Sequence, residues 1–397
     1  MRTKLALTLS IALGALLATP TSAEARARDG SAAWRFDGRA VNGSFAQPVG
    51  TGPDRWLSAN SSTGNDVSLA LVDIFGNRLA TGSIGFSCGT VPCIRTNSIY
   101  PFKGHFTRSN QDDMCVYYRD MLSNQTITCF DQYGSILYAG NPSESNTSFV
   151  FNMPTTPTGG HGYTVGDFDG DGYDEIVTYN RWDGSAARAW HYDKSSYRFV
   201  ENPNLIANVA GLSWSGGVQF FAGNFHDADG LTGLDDLVAY NQTTHQVIVY
   251  ESRRPSLGYA RFWAWYGPWG VPGASGDVEV SVARYAETGF DALVLNTAQG
   301  TGNRGKLNAF SLAYPMTDIT SMSDMANMQT AYTTGFTGKV HLVWAEINSP
   351  DARRDDTIQF FDDYSQYSVY DAHPGSPAPW WIWFARNTGA IRGPLGL

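Results

Sequence analysis

Val165-Gly-Asp-Phe-Asp-Gly-Asp-Gly-Tyr-Asp-Glu-Ile-Val-Thr-Tyr179 decides the reading of this chain. An apolar run enters a Gly/Asp loop, the loop closes on Asp174-Glu175, and a second apolar run leaves it. β-Branched and aromatic residues flanking such a loop predict strand, turn, strand. Weaker copies of the frame begin at Ser58, Gly104, Gly223, Ala283 and Ala345. One aspartate holds its place in all six: Asp66, Asp112, Asp174, Asp235, Asp291 and Asp355, at intervals of 46 to 64 residues. A fixed-period repeat of this length is the signature of a propeller or solenoid.

Within several copies the strand after the aspartate meets a turn, such as Trp182-Asp-Gly-Ser or Asn241-Gln-Thr-Thr, and a third strand follows. Aromatic runs at Tyr259–Trp265 and Pro379–Phe384 then close the unit. Four short strands per unit predict an all-β fold, a β-propeller of six four-stranded blades. The count becomes seven if residues 31–55 supply strands of their own. Exposed sheet edges invite aggregation, so the ring must be shut; Trp34–Val41 is expected to pair with the first or last blade and close it. Ser321–Thr333 is the nearest approach to a helix. The recurrent aspartate reads as a turn-fixing group, its carboxylate accepting backbone N–H groups of its own loop.

Composition agrees. Gly (42), Phe (21), Tyr (20) and Trp (12) are plentiful, whereas charged residues make up only 16% of the chain. The formal charge of −10 repels nucleic acid and anionic membranes and favours divalent cations. Arg2 and Lys4 precede an apolar run from Leu5 to Leu17, and small residues follow at Ala23, Ala25 and Ala27. That order predicts a secretory signal peptide over residues 1–27 and a single secreted, extracellular domain over 28–397. The run is shorter than the ~20 residues that cross hydrocarbon.

The four cysteines, Cys88, Cys93, Cys115 and Cys129, cluster in one early part of the chain. In an exported protein they predict two disulfides, Cys88–Cys93 and Cys115–Cys129. The second pair flanks a Met-Leu-Ser-Asn turn at similar distances and would face across a hairpin. Paired C-x-x-C spacing, which a zinc site needs, is missing.

Asp167, Asp169 and Asp171 stand at positions 1, 3 and 5 of the first-quoted loop, the carbonyl of Tyr173 at 7 and Glu175 at 9. Ca²⁺ takes six to eight hard oxygens, which alternating acidic residues around a glycine-permitted turn supply. Gly172, at position 6, is placed to give the positive φ of the turn. The frame Gly166-Asp-Phe-Asp-Gly-Asp-Gly-Tyr-Asp-Glu-Ile-Val resembles the FG-GAP/VCBS repeat of integrin α-subunit propellers and many secreted bacterial proteins. The resemblance is specific over residues 163–180 and fair over 218–252. It implies a propeller with Ca²⁺ held in hairpin loops, here by Asp167, Asp169, Asp171, the Tyr173 carbonyl and Glu175. A second, poorer loop offers Asn224, His226, Asp227, Asp229 and Asp236. The copies at His105/Thr107/Ser109 and Arg284/Ala286/Thr288 have lost the charge a metal needs.

The chain has no H-E-x-x-H pair, no G-x-S-x-G elbow and no phosphate loop. These absences favour a non-catalytic binding or adhesion module for a glycan or protein ligand. The alternative is a propeller-type polysaccharide lyase or glycoside hydrolase with an axial active site, for which His161, His341, Arg284 and Tyr163 are candidates. The aromatic runs read mainly as packing between blades. Tyr266-Gly-Pro-Trp269 is the better surface candidate, because Gly267 and Pro268 would interrupt a strand.

Overall fold

The computed structural model describes the strands between residues 43 and 150, most of residues 161–271, and the strands with short flanks from 278 to 387. The first blade contains β1 (Gly43–Ala46), β2 (Arg55–Asn60), β3 (Asp66–Val72) and β4 (Arg78–Gly85). The second contains β5 (Ile94–Arg108), β6 (Gln111–Asp120), β7 (Gln125–Phe130), β8 (Ile136–Leu137) and a fifth strand, β9 (Phe149–Val150), paired with β7. The third contains β10 (His161–Gly166), β11 (Glu175–Asn180), β12 (Arg188–Asp193) and β13 (Arg198–Glu201). The fourth contains β14 (Val218–Gly223), β15 (Asp236–Asn241), β16 (Gln246–Arg253) and β17 (Arg261–Gly270). The fifth contains β18 (Val278–Ala283), β19 (Ala292–Thr297), β20 (Leu307–Ser311) and β21 (Thr317–Asp318). The sixth contains β22 (Val340–Ala345), β23 (Asp356–Phe361), β24 (Gln366–Ala372) and β25 (Trp380–Asn387).

Each sheet is an antiparallel meander in sequence order, and no described residue is helical. The fold is a β-propeller of six blades. First strands of successive blades adjoin, as β10 does β5 and β14.

Blade-on-blade packing explains why the second strands read as continuous apolar runs. All six residues of β11 and of β15 are buried, as expected of strands covered on both faces. Successive side chains of β11 point to opposite neighbours. Ile176 joins a core with Phe102, Phe106, Tyr117 and Ile127 of the second blade. Val177 and Tyr179 join one with Phe220, Leu237, Ile248 and Phe262 of the fourth. Tyr179 stacks on Phe220 at 4.1 Å between centroids, and its hydroxyl accepts the Phe220 N–H at 2.9 Å.

β1 precedes the first copy of the frame and pairs with β2; Trp34–Val41 lies outside the described residues, as does Ser321–Thr333. Two sequence expectations are modified. β17 runs unbroken through Gly267-Pro268. Two residues there oppose Ile248 alone, between the Val247↔Trp269 and Val249↔Tyr266 pairs. The bulge absorbs a glycine at φ 109° and a proline without an N–H. Tyr163 is not an axial residue: its ring packs on Phe102 at 4.6 Å and Tyr117 at 5.4 Å in the second blade.

Cys115 and Cys129 are directly opposed on β6 and β7, with Cα atoms 4.0 Å apart, and form a disulfide. Cys88 and Cys93 lie outside the described residues.

Candidate metal centre and the junctions around it

The acidic loop of the third blade is built by its own side chains. Asp167 Oδ1 accepts the Gly170 N–H at 2.8 Å, and its Oδ2 accepts the Gly172 N–H at 3.1 Å. Asp169 accepts from Asp171 N–H at 3.0 Å, and Asp171 from Tyr173 N–H at 2.8 Å. Gly170 and Gly172 have φ of 71° and 95°, a region L-residues with a side chain rarely adopt. The glycine assigned to position 6 therefore has the conformation its place requires.

Three of the five predicted ligands come together. Carboxylate oxygens of Asp167, Asp169 and Glu175 lie within 4.8 Å of one another. Asp167 and Glu175 are each 1% exposed. Asp171 is exposed and stands outside this group. Like charges at that spacing repel by about 3.5 kcal/mol or more per pair at an effective dielectric near 20. Burial pushes the Glu175 carboxyl well above the ordinary range, and Asp169 and Asp167 push it further. One Glu175 oxygen accepts the Phe168 N–H at 2.9 Å. A buried set of hard anionic oxygens needing positive charge is the donor chemistry that suits a calcium ion.

The poorer loop is different. Asp236 gives one oxygen to the His226 N–H at 3.0 Å and the other to the Ser252 N–H at 2.9 Å. Asn224 is engaged through its backbone by the next blade, and Asp227 and Asp229 lie outside the described residues. Among the described residues only the loop of the third blade gathers a metal-ligating group. In the second blade Asp113, the counterpart of Glu175, accepts the Thr107 hydroxyl at 2.9 Å and the Thr107 N–H at 2.7 Å. A neutral hydroxyl there meets the carboxylate that faces two other carboxylates in the third blade.

The recurrent aspartate grips the preceding blade at the three junctions described. Asp174 donates its N–H to the His105 carbonyl at 3.1 Å and accepts the His105 N–H at 2.6 Å. Asp235 does the same to Asp167, at 2.9 and 3.0 Å. Asp291 does so to Asn224, at 2.7 and 2.8 Å. The next residue bonds within the loop, as Asp113 and Asp236 show. A carboxylate that reaches a backbone some 68 residues away was invisible to a reading confined to one loop.

Asp235 and Asp291 each sit against a glycine of the preceding blade. A Cβ on Gly166 would sit 2.8 Å from Asp235 Oδ2 and 2.8 Å from Ala222 Cβ; one on Gly223 would sit 3.0 Å from Asp291 Oδ2. The six frame copies carry Ser58, Gly104, Gly166, Gly223, Ala283 and Ala345 at this position. That run of small residues was the available signal for an inter-blade contact.

Beside the acidic loop lies a cleft of about 560 Å³. Asp169, Asp171 and Tyr173 form one wall, and the turn after β12 with residues Glu201–Asn204 forms the other. The Lys194 ammonium sits over the Tyr173 ring, 3.4 Å from its centroid, and joins the two walls. Asp193 is held ionised down to about 2, chiefly by the Ser196 hydroxyl and then by Ser195. His191 lines the cleft, and its Nδ1 is buried without a hydrogen-bond partner among the described residues.

No protein-family model matches the chain, and no curated protein does. Among solved structures, a lectin from Agrocybe aegerita that recognises non-reducing terminal N-acetylglucosamine is similar over 86% of this chain and 78% of its own. The identity is 12% and the TM-score 0.49. A six-bladed propeller lectin from Aleuria aurantia with a fucose recognition mode is similar over 83% of this chain and 94% of its own, at 11% identity and a TM-score of 0.39.

Proposed function

We propose that this chain is a secreted, non-catalytic glycan-binding propeller of the FG-GAP/VCBS type, with Ca²⁺ holding the acidic loop of its third blade. The observation that carries the reading is the cleft beside that loop. Its volume, about 560 Å³, lies within the ~300–1,000 Å³ of small-ligand pockets. Its lining combines the carboxylates of Asp193 and Glu201, the amides of Asn202 and Asn204, and the Tyr192 side chain. Polar planar groups beside an aromatic ring meet both the hydroxyls and the C–H face of a sugar.

The metal would be held by Asp167, Asp169 and Glu175, with Asp171 and the Tyr173 carbonyl as further donors. Bound Ca²⁺ supplies the positive charge that lets three close carboxylates stay ionised. Asp167 fixes the loop backbone, and Tyr173 carries one wall of the cleft through its contact with Lys194. The metal thus shapes the cleft from behind.

A glycan array probed in Ca²⁺ and in EDTA tests this. Binding of defined glycans in Ca²⁺, weakened by chelation and by Asn204→Ala, is the expected result. Silence across the array in Ca²⁺ would sink the reading. Release of reducing ends or unsaturated sugars from a polysaccharide panel would replace it with the enzymatic alternative. Capture of a protein partner with no glycan recognition would replace the glycan by a protein ligand.

A further inference from the structure

The strand β11 connects two different surfaces. Glu175, at its start, belongs to the carboxylate cluster; Asn180, at its end, opens the turn to β12. Six residues of strand separate the two by roughly 17 Å. On this opposite end stands Trp182, 46% exposed and the only exposed large hydrophobic side chain among the described residues.

The backbone of the turn that carries this indole is held at several points. Asn180 Oδ1 accepts the Trp182 N–H at 3.0 Å, the Asn180 carbonyl accepts the Gly184 N–H at 2.7 Å, and Asn180 N–H donates to the Ser185 carbonyl at 2.9 Å. Asp183 accepts the Ser185 N–H at 2.9 Å. The turn is also tied to the fourth blade. The Trp182 carbonyl accepts the Gly217 N–H at 3.1 Å, and the Arg181 carbonyl accepts the Val218 N–H at 2.7 Å. Gly217 in turn accepts the Gln242 N–H at 2.9 Å.

Gly216 and Gly217, at φ of 92° and 102°, leave bare backbone between Trp182 and the Gln242-Thr243 turn. The Thr243 hydroxyl donates to the Gly216 carbonyl. A Cβ on Gly217 would lie 2.7 Å from Gln242 Oε1, and one on Gly216 would collide with Thr243. The result is a shallow shelf at the junction of the third and fourth blades that carries the exposed Trp182 side chain, exposed Ser215 and Thr243 and half-buried Gln242.

We propose that this shelf is a second, metal-independent glycan site that stacks the C–H face of a neutral pyranose on Trp182. A flat aromatic surface suits the apolar face of a sugar ring, and side-chain hydroxyls and an amide suit its edge. The pinned turn backbone removes the ordering cost that a mobile loop would incur on binding. The composition argues against a protein partner. Protein interfaces bury about 800 Å² per side around an apolar centre, and a lone indole among polar neighbours offers no such centre. With the cleft at the other end of β11, the protein would hold two glycans at opposite ends of one blade.

The test uses full-length protein labelled with 5-fluorotryptophan, the Trp182 resonance being assigned by Trp182→Phe. Ligands are N-acetylglucosamine oligomers, methyl L-fucoside, lactose and mannotriose, each titrated in Ca²⁺ and again in EDTA. The expected result is a saturable shift of the Trp182 signal with at least one sugar, the same in both buffers. Trp182→Ala should weaken that sugar about tenfold by calorimetry with an unchanged unfolding midpoint, and Trp182→Phe should keep most of the affinity. A Trp182 signal that none of these sugars moves overturns the proposal, as does one that moves only with protein concentration. The cleft is read separately, because its binding is calcium-dependent and should survive Trp182→Ala.

Discussion

Asp235 holds Asp167 by both polar groups of its backbone, donating to the carbonyl at 2.9 Å and accepting from the N–H at 3.0 Å. Asp167 is also the residue whose carboxylate shapes the acidic loop. The candidate metal centre of the third blade is therefore anchored on the fourth.

Removal of that grip should be measurable. Asp235→Ala leaves the Asp167 N–H without its carboxylate acceptor, at a cost of about 1–3 kcal/mol. Asp235→Asn keeps an acceptor oxygen and should lose less. Urea unfolding in saturating Ca²⁺ separates this effect from metal loss. An Asp235→Ala variant within about 0.5 kcal/mol of wild type, the range of an ordinary surface substitution, would contradict the inter-blade role.

The glycines against Asp235 and Asp291 make a second, graded prediction. Gly166→Ala drives a methyl against two fixed neighbours, the Asp235 carboxylate and Ala222. It should destabilise by about 1–3 kcal/mol, as overpacking does. Gly223→Ala is slightly roomier, and the chain itself carries Ala283 at the next such position; it should cost less. Denaturant midpoints of the two variants give the order.

Chelation should lower the thermal midpoint. An ion present at a hundred times its dissociation constant stabilises the native state by about 2.7 kcal/mol. Asp169→Ala, which removes a member of the three-carboxylate cluster, should abolish the difference between Ca²⁺ and EDTA. Asp171→Ala, outside the cluster, should only reduce it. Identical midpoints for wild type in Ca²⁺ and EDTA would remove the metal from the account.

Asp193 offers a pH prediction with a definite sign. Its carboxyl is lowered from 3.8 to about 2 because the Ser196 and Ser195 hydroxyls donate to the ionised form. The stabilisation of this turn is thus present above the ordinary value and is lost as pH falls through about 2. Carboxyl ¹³C titration should find Asp193 well below the other exposed aspartates. Ser196→Ala should raise its midpoint towards 3.8. A midpoint unmoved by that change would reassign the cause.

Much of the fold was legible because it rests on local rules. Strand, glycine-rich turn and strand recur in the sequence with the aspartate, and six sheets follow that count. The Cys115–Cys129 bond was readable because a hairpin sets residues opposite one another. The loop of residues 167–175 was readable because its geometry is made by its own side chains. What escaped the sequence reading depends on neighbours distant in the chain. The grip of Asp235 on Asp167 needs two blades to be set side by side. Tyr163 was misplaced because a strand's second face belongs to the adjacent blade. Trp182 looked like part of an ordinary turn, since the bond that ties its backbone comes from Gly217, just before the next blade.

The recurrent aspartate also bears on how such a ring grows. At the three described junctions the aspartate of one repeat seats on the backbone of the repeat made before it. A newly synthesised blade can thus dock as it emerges, from the amino end onward, without waiting for its successor. Duplication of one repeat likewise brings a matching joint with it, so the ring can lengthen without inventing a surface. Truncation does the opposite, leaving a bare seat at one end or an unseated aspartate at the other.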